Sequence, residues 1–219
     1  MSSRAVRVLA VTAAVCAVVF VVVAALVWHT TTEIGLDRTL NGSRYRPSSI
    51  LGVSWFGSGR TQLKHVAAAG SPWFAAIVVA LVVVAVWVAR RDTVAVVVCV
   101  AGPALAGLFE LAAKHVVGRM HVSSLSYPSG HETLAAALGA VLVFSAWRVG
   151  GGRAAVVAAV PAVTLSALVG IAVVRLAWHY PTDVIGGLAV GVGVVCAVCV
   201  GAAVAGQLGP KSDELVKAD

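Results

Sequence analysis

The chain has 219 residues, 60% hydrophobic and 11% charged, with a mean hydropathy of +0.97; soluble domains carry roughly 25% charged residues, so the composition argues against a water-soluble globule. The formal charge of +7 is dispersed, with no basic run longer than Arg90-Arg91, which speaks against a nucleic-acid partner and fits charges that flank membrane helices. Cys16, Cys99, Cys196 and Cys199 all fall in apolar runs, where thiols behave as small hydrophobes, so neither a disulfide framework nor a zinc site is expected.

A membrane-spanning helix needs about 20 mostly apolar residues, and the sequence offers six such runs in a single all-α domain over residues 1–219. The first, Ala5 to Trp28, follows Arg4 and Arg7; it exceeds the roughly 7 to 15 apolar residues of a signal peptide and reads as an uncleaved anchor. A polar loop of about residues 30–72 comes next, with Arg38, Arg44, Arg46, Arg60 and Lys64. Trp73 to Ala89 and Thr93 to Ala113 are joined through Arg90 and Arg91, and a polar segment then runs from Lys114 to His131. The fourth run, Thr133 to Trp147, is short and borrows flanking residues; Arg148 and Arg153 connect it to Ala154 to Val174. After the segment from Arg175 to Asp183 comes the sixth run, Val184 to Ala205, and a polar tail of about residues 210–219 that is expected to be disordered. Basic residues at every alternate end put both termini in the cytoplasm and the three polar segments outside, in a multi-pass protein of a bacterial inner membrane.

Chemistry is expected in the last two outer segments. Lys114 and Arg119 offer fixed positive charge and directional donors of the kind a phosphate needs. In Tyr127-Pro128-Ser129-Gly130-His131-Glu132, Ser129 and Glu132 fit a capping box, the helix start is a natural anion site, and His131 adds a group that exchanges protons near neutral pH. In Arg175-Leu-Ala-Trp178-His179-Tyr180-Pro181-Thr182-Asp183, Pro181 suits the first position of a helix, leaving His179 just outside it and Asp183 in the first turn within hydrogen-bond reach.

Together these three segments resemble the signature of the type 2 phosphatidic acid phosphatase superfamily, which includes bacterial lipid-pyrophosphate phosphatases. Pro-Ser-Gly-His is matched in full, His179-x-x-x-Asp183 matches the end of the third motif, and Lys114 with Gly118-Arg119 the beginning of the first. The resemblance implies phosphoryl transfer without metal or cofactor: His179 attacks phosphorus, Asp183 orients that imidazole, and His131 protonates the leaving oxygen and later activates water. Lys114, Arg119, Ser129 and Gly130 would hold phosphate oxygens. Two positions depart from the family pattern: its first motif continues to Arg-Pro where this chain has His121-Val122, and the Arg six residues before the third-motif His is replaced by Val173. Arg175 and His121 are expected to compensate in substrate binding. The implied substrate is a lipid phosphate or polyprenyl pyrophosphate such as undecaprenyl pyrophosphate, with membrane lipids as the other partners. The alternatives are a phosphotransferase using the same histidine and a binder that has lost catalysis.

Overall fold

The structure, a computed structural model, describes residues 1–41 and 59–206; the expected tail, Arg44 and Arg46 lie outside them. The apolar runs form α1 (Ser3–Val27), α4 (Pro72–Arg90), α5 (Thr93–Val117), α6 (Gly130–Arg175) and α7 (Pro181–Val204). Between them lie the short helices α2 (Gly35–Asn41) and α3 (Arg60–Ala68) and the strands β1 (Met120–His121) and β2 (Ser124–Leu125), which pair antiparallel. Val11, Val18, Leu81, Val88, Val156 and Val163 all point outward. Such surface is tolerable where the surroundings are hydrocarbon rather than water.

Among the described residues five helices are long and apolar enough to cross a membrane, where the sequence leads to six. The fourth and fifth runs are joined in α6, whose 46 residues would reach about 69 Å if straight, twice the roughly 30 Å of a hydrocarbon layer. The element is not straight. Gly151 has φ 75° and ψ −166°, a region essentially confined to glycine. A Cβ on Gly139 would sit 3.2 Å from the methyl of Ala162, and the Ser166 hydroxyl donates to Glu132. Residues 130–150 and 152–175 therefore lie antiparallel, as a hairpin turning at Gly151.

At the hairpin's closed end Arg148 pairs with Asp92 and Arg90 donates to the Val149 carbonyl, so the basic connections 90–92 and 148–152 meet. The opposite end gathers the polar segments. Met120 N donates to the Thr30 carbonyl at 2.9 Å, and Ser129 N to the Asp183 carbonyl at 2.9 Å, tying the three polar segments into one layer. The first turns of α7 press against the start of α6: a Cβ on Gly187 would meet the Ser129 carbonyl oxygen at 2.6 Å, and one on Gly186 would strike the Tyr127 ring. Small residues let helices approach to backbone contact in a bilayer, and here they lock the Tyr127-to-His131 turn onto α7. Tyr127 is buried, stacks on Phe20 and donates to the Phe20 carbonyl at 2.8 Å. Burial, reinforced by the nearby Asp183 charge, pushes its phenol up, so it stays a neutral donor.

Candidate active site

Helix α7 starts at Pro181, whose missing N–H costs nothing at that position. His179 is thereby left on the connection and Asp183 on the first turn. Asp183 is fully buried; its Oδ2 accepts the Tyr180 amide at 3.0 Å and lies 3.6 Å from His179 Nδ1. Its other oxygen accepts from Arg119 Nη1 at 2.7 Å. The carboxylate thus turns one oxygen to the imidazole and anchors the other, which orients the ring with Nδ1 inward.

Arg119, expected to bind phosphate, sits in a buried cluster of charges. It is fully buried, behind Asp183, and does not line the cavity that His131 and His179 share. Beyond Asp183 it pairs with Asp37 at 2.6 Å, donates to Thr182 Oγ1 at 2.5 Å, and lies 4.2 Å over the Tyr180 ring. Asp37 accepts the Thr182 amide at 3.0 Å and its hydroxyl at 2.7 Å, pinning the first turn of α7 to α2. Burial pushes the Asp37 carboxyl up, but the hydrogen bonds from Arg119, Thr182 and Ile34 outweigh it and hold the group below the ordinary carboxylate value. Sequence reasoning missed Asp37, since a single acid in a long polar loop has no periodicity or spacing to single it out.

His131, His179, Lys114, His121 and Gly130 line one cavity of about 950 Å³. Its far wall is apolar, formed by Ala76 and Val79 of α4 and Val100, Ala104 and Leu108 of α5. His131 lies 5.5 Å from the Trp178 ring, and His121 Nε2 is 2.8 Å from the Ala177 carbonyl oxygen. Lys114 Nζ is 2.5 Å from Glu110 Oε1.

Three further residues lie away from the cavity lining. Ser129 is buried as the cap of α6, accepting the Glu132 amide, and does not line the cavity. Glu132 does not turn back to complete a capping box; its carboxylate reaches Ser166 in the other arm of the hairpin. Arg175 lines a different, largely apolar groove with Ser166 and Gly170, while Val173 is packed in a core with Ala67, Ala135 and Val169. A residue shifted by two along a helix moves about 200° around it, which accounts for the separation.

Residues 119–204, spanning the second and third segments, match the family model described as the PAP2 superfamily. The match begins at Arg119, so Lys114 stands before it. The fold of the chain is similar to the crystal structure titled the first transmembrane PAP2 type phosphatidylglycerolphosphate phosphatase from Bacillus subtilis, with a TM-score of 0.72 and 17% identity over 91% of this chain and 98% of that one. At that identity the likeness is one of fold. No curated protein matches the chain.

Proposed function

We propose that this protein is an integral-membrane lipid phosphatase that hydrolyses a lipid phosphate or polyprenyl pyrophosphate at the outer membrane face through a phosphohistidine on His179. The observation that carries the reading is the shared cavity: three imidazoles, an ammonium and the start of a helix line a gutter whose far wall is apolar. The headgroup would meet the polar end while the chain stays in the bilayer beside α4 and α5. The match of residues 119–204 to the PAP2 superfamily model and the likeness in fold to a transmembrane phosphatase support the same class of enzyme.

In this mechanism His179 Nε2 attacks phosphorus as the bond to the leaving oxygen breaks, and His131 donates the proton that oxygen needs. Water then attacks the phosphohistidine with His131 taking its proton, and inorganic phosphate leaves. Asp183 holds the His179 tautomer and offsets the charge that develops on the ring. A separation of 3.6 Å is long for a hydrogen bond, yet such contacts commonly tighten only when substrate binds. Lys114, the Gly130 amide and His121 bind phosphate oxygens, while Arg119 acts through Asp183. In the bilayer α6 supplies two of six crossings, with both termini cytoplasmic.

The test is phosphate release by detergent-purified protein against a panel of lipid phosphates in the presence of a chelator. His131→Ala should cost about 10²- to 10⁴-fold, as removal of a general acid does, and His179→Ala should abolish both turnover and the acid-labile phosphoprotein. A divalent-metal requirement, or a phosphoprotein that survives in His179→Ala, would sink the mechanism.

A further inference from the structure

Glu110 is the only acidic residue lining the catalytic cavity among the described residues. Because α5 continues to Val117, Glu110 lies about two turns below its end. Its side chain is 8% exposed and its Oε1 is 2.5 Å from Lys114 Nζ. A Cβ on Gly130 would lie 2.9 Å from that same oxygen, so the carboxylate also rests against the first residue of α6. Lys114 and the α6 start are the two features to which the proposed function assigns phosphate oxygens. A carboxylate between an ammonium and a helix start is chemically a stand-in for one edge of a phosphate.

We infer that Glu110 is an internal competitor for the phosphate subsite: a phosphate engages Lys114 by taking the place of this carboxylate, and the carboxylate returns as inorganic phosphate departs. The inference rests on the phosphatase reading and names a residue that sets affinity in the same cavity. A phosphate monoester or product phosphate brings negative charge toward a buried negative group, and like charges at close range in a poorly solvated site repel strongly. Glu110 therefore weakens ground-state anion binding and favours product release. A carboxylate that only held the lysine in place would instead strengthen phosphate binding. The two roles predict opposite signs.

The deciding measurement is the dissociation constant of inorganic phosphate, read by ³¹P titration of the full-length detergent-purified protein, with orthovanadate inhibition as a second readout. Glu110→Gln keeps the side-chain shape and removes the charge; it should bind phosphate about tenfold tighter, equivalent to about 1.4 kcal/mol, and be more strongly product-inhibited. Glu110→Ala should shift affinity in the same direction, and Lys114→Met should weaken binding in either background. Thermal unfolding of each variant checks that it is folded. Equal or weaker phosphate binding in both folded Glu110 variants, with the parent enzyme still active and dependent on His179, would overturn the role of Glu110 alone. Absence of saturable phosphate binding in the parent protein and in every variant would remove the phosphate cavity itself, and this inference with it.

Discussion

A guanidinium with no access to water must set its charge against carboxylates, and Arg119 does so with Asp37 and Asp183. Losing one partner from a buried, hydrogen-bonded charge cluster typically costs about 1 to 3 kcal/mol, and Arg119 keeps Asp183 in an Asp37→Asn variant. That variant should lose stability of this order at neutral pH. The pH dependence has a defined sign. The folded protein depresses the Asp37 value, so its contribution is fully present above the unfolded value of about 3.9 and disappears as pH falls through the lower folded value. Unfolding midpoints of parent and variant in detergent should differ at pH 7 and converge below about pH 4; a constant gap across that range would dissociate Asp37 from the effect. At this scale the sequence was legible where a residue type has few bland uses. His131, His179 and Asp183 stand in short segments whose helix starts were readable from Ser129 and Pro181, and Lys114 joins the two imidazoles in the cavity. Arg119 was singled out from the sequence, but charge spacing along a chain does not reveal that Asp37, from a distant segment, pairs with it.

Helix α7 holds the second motif in place through glycines rather than through bonds. At Gly187 a Cβ would lie 2.6 Å from the Ser129 carbonyl oxygen and 3.2 Å from the Thr133 amide nitrogen, and neither backbone atom can step aside without moving the α6 start. Gly187→Ala should therefore destabilise the fold by about 1 to 3 kcal/mol, as overpacking does, and reduce kcat more than that figure suggests, because a displacement near 1 Å at reacting groups can cost about 10²-fold. Gly201→Ala on the same helix, where nothing lies within 4 Å of the added methyl, is the control and should leave both properties unchanged. Equal behaviour of the two variants in melting and turnover would contradict the packing argument. The helices themselves were legible from apolar runs, but their ends were displaced toward the motifs: α5 runs on to Val117 and α6 starts at Gly130. Hydropathy marks where a chain meets hydrocarbon, whereas a helix ends where its cap forms, and those two boundaries differ.

Across the whole molecule, charge is sorted between the two ends. Arg90, Arg91 and Arg148 cluster with Asp92 at one end, joined through the Arg148–Asp92 and Arg90–Val149 contacts, while the catalytic layer closes the other. Basic residues in short connections favour the cytoplasm because they resist translocation, and the proposed orientation accordingly has the 90–92 and 148–153 turns inside and the cavity with His131 and His179 outside. The hairpin at Gly151 is what makes this assignment self-consistent, since an unbroken α6 would carry residues 148–153 and the third segment to places the contacts forbid. The prediction is made on exposed positions in a chain whose four native cysteines have been replaced by alanine. Ser123→Cys lies beside the cavity and Gly152→Cys at the hairpin turn, both exposed in the fold. In right-side-out vesicles a membrane-impermeant maleimide should label Ser123→Cys and leave Gly152→Cys unmodified until the membrane is permeabilised; inside-out vesicles should reverse the pattern. Labelling of both from one face would mean that the chain does not cross the bilayer between these positions, whereas a clean reversal of the expected pattern would keep the fold and turn the catalytic layer to the cytoplasm, where a lipid phosphatase would draw on a different leaflet.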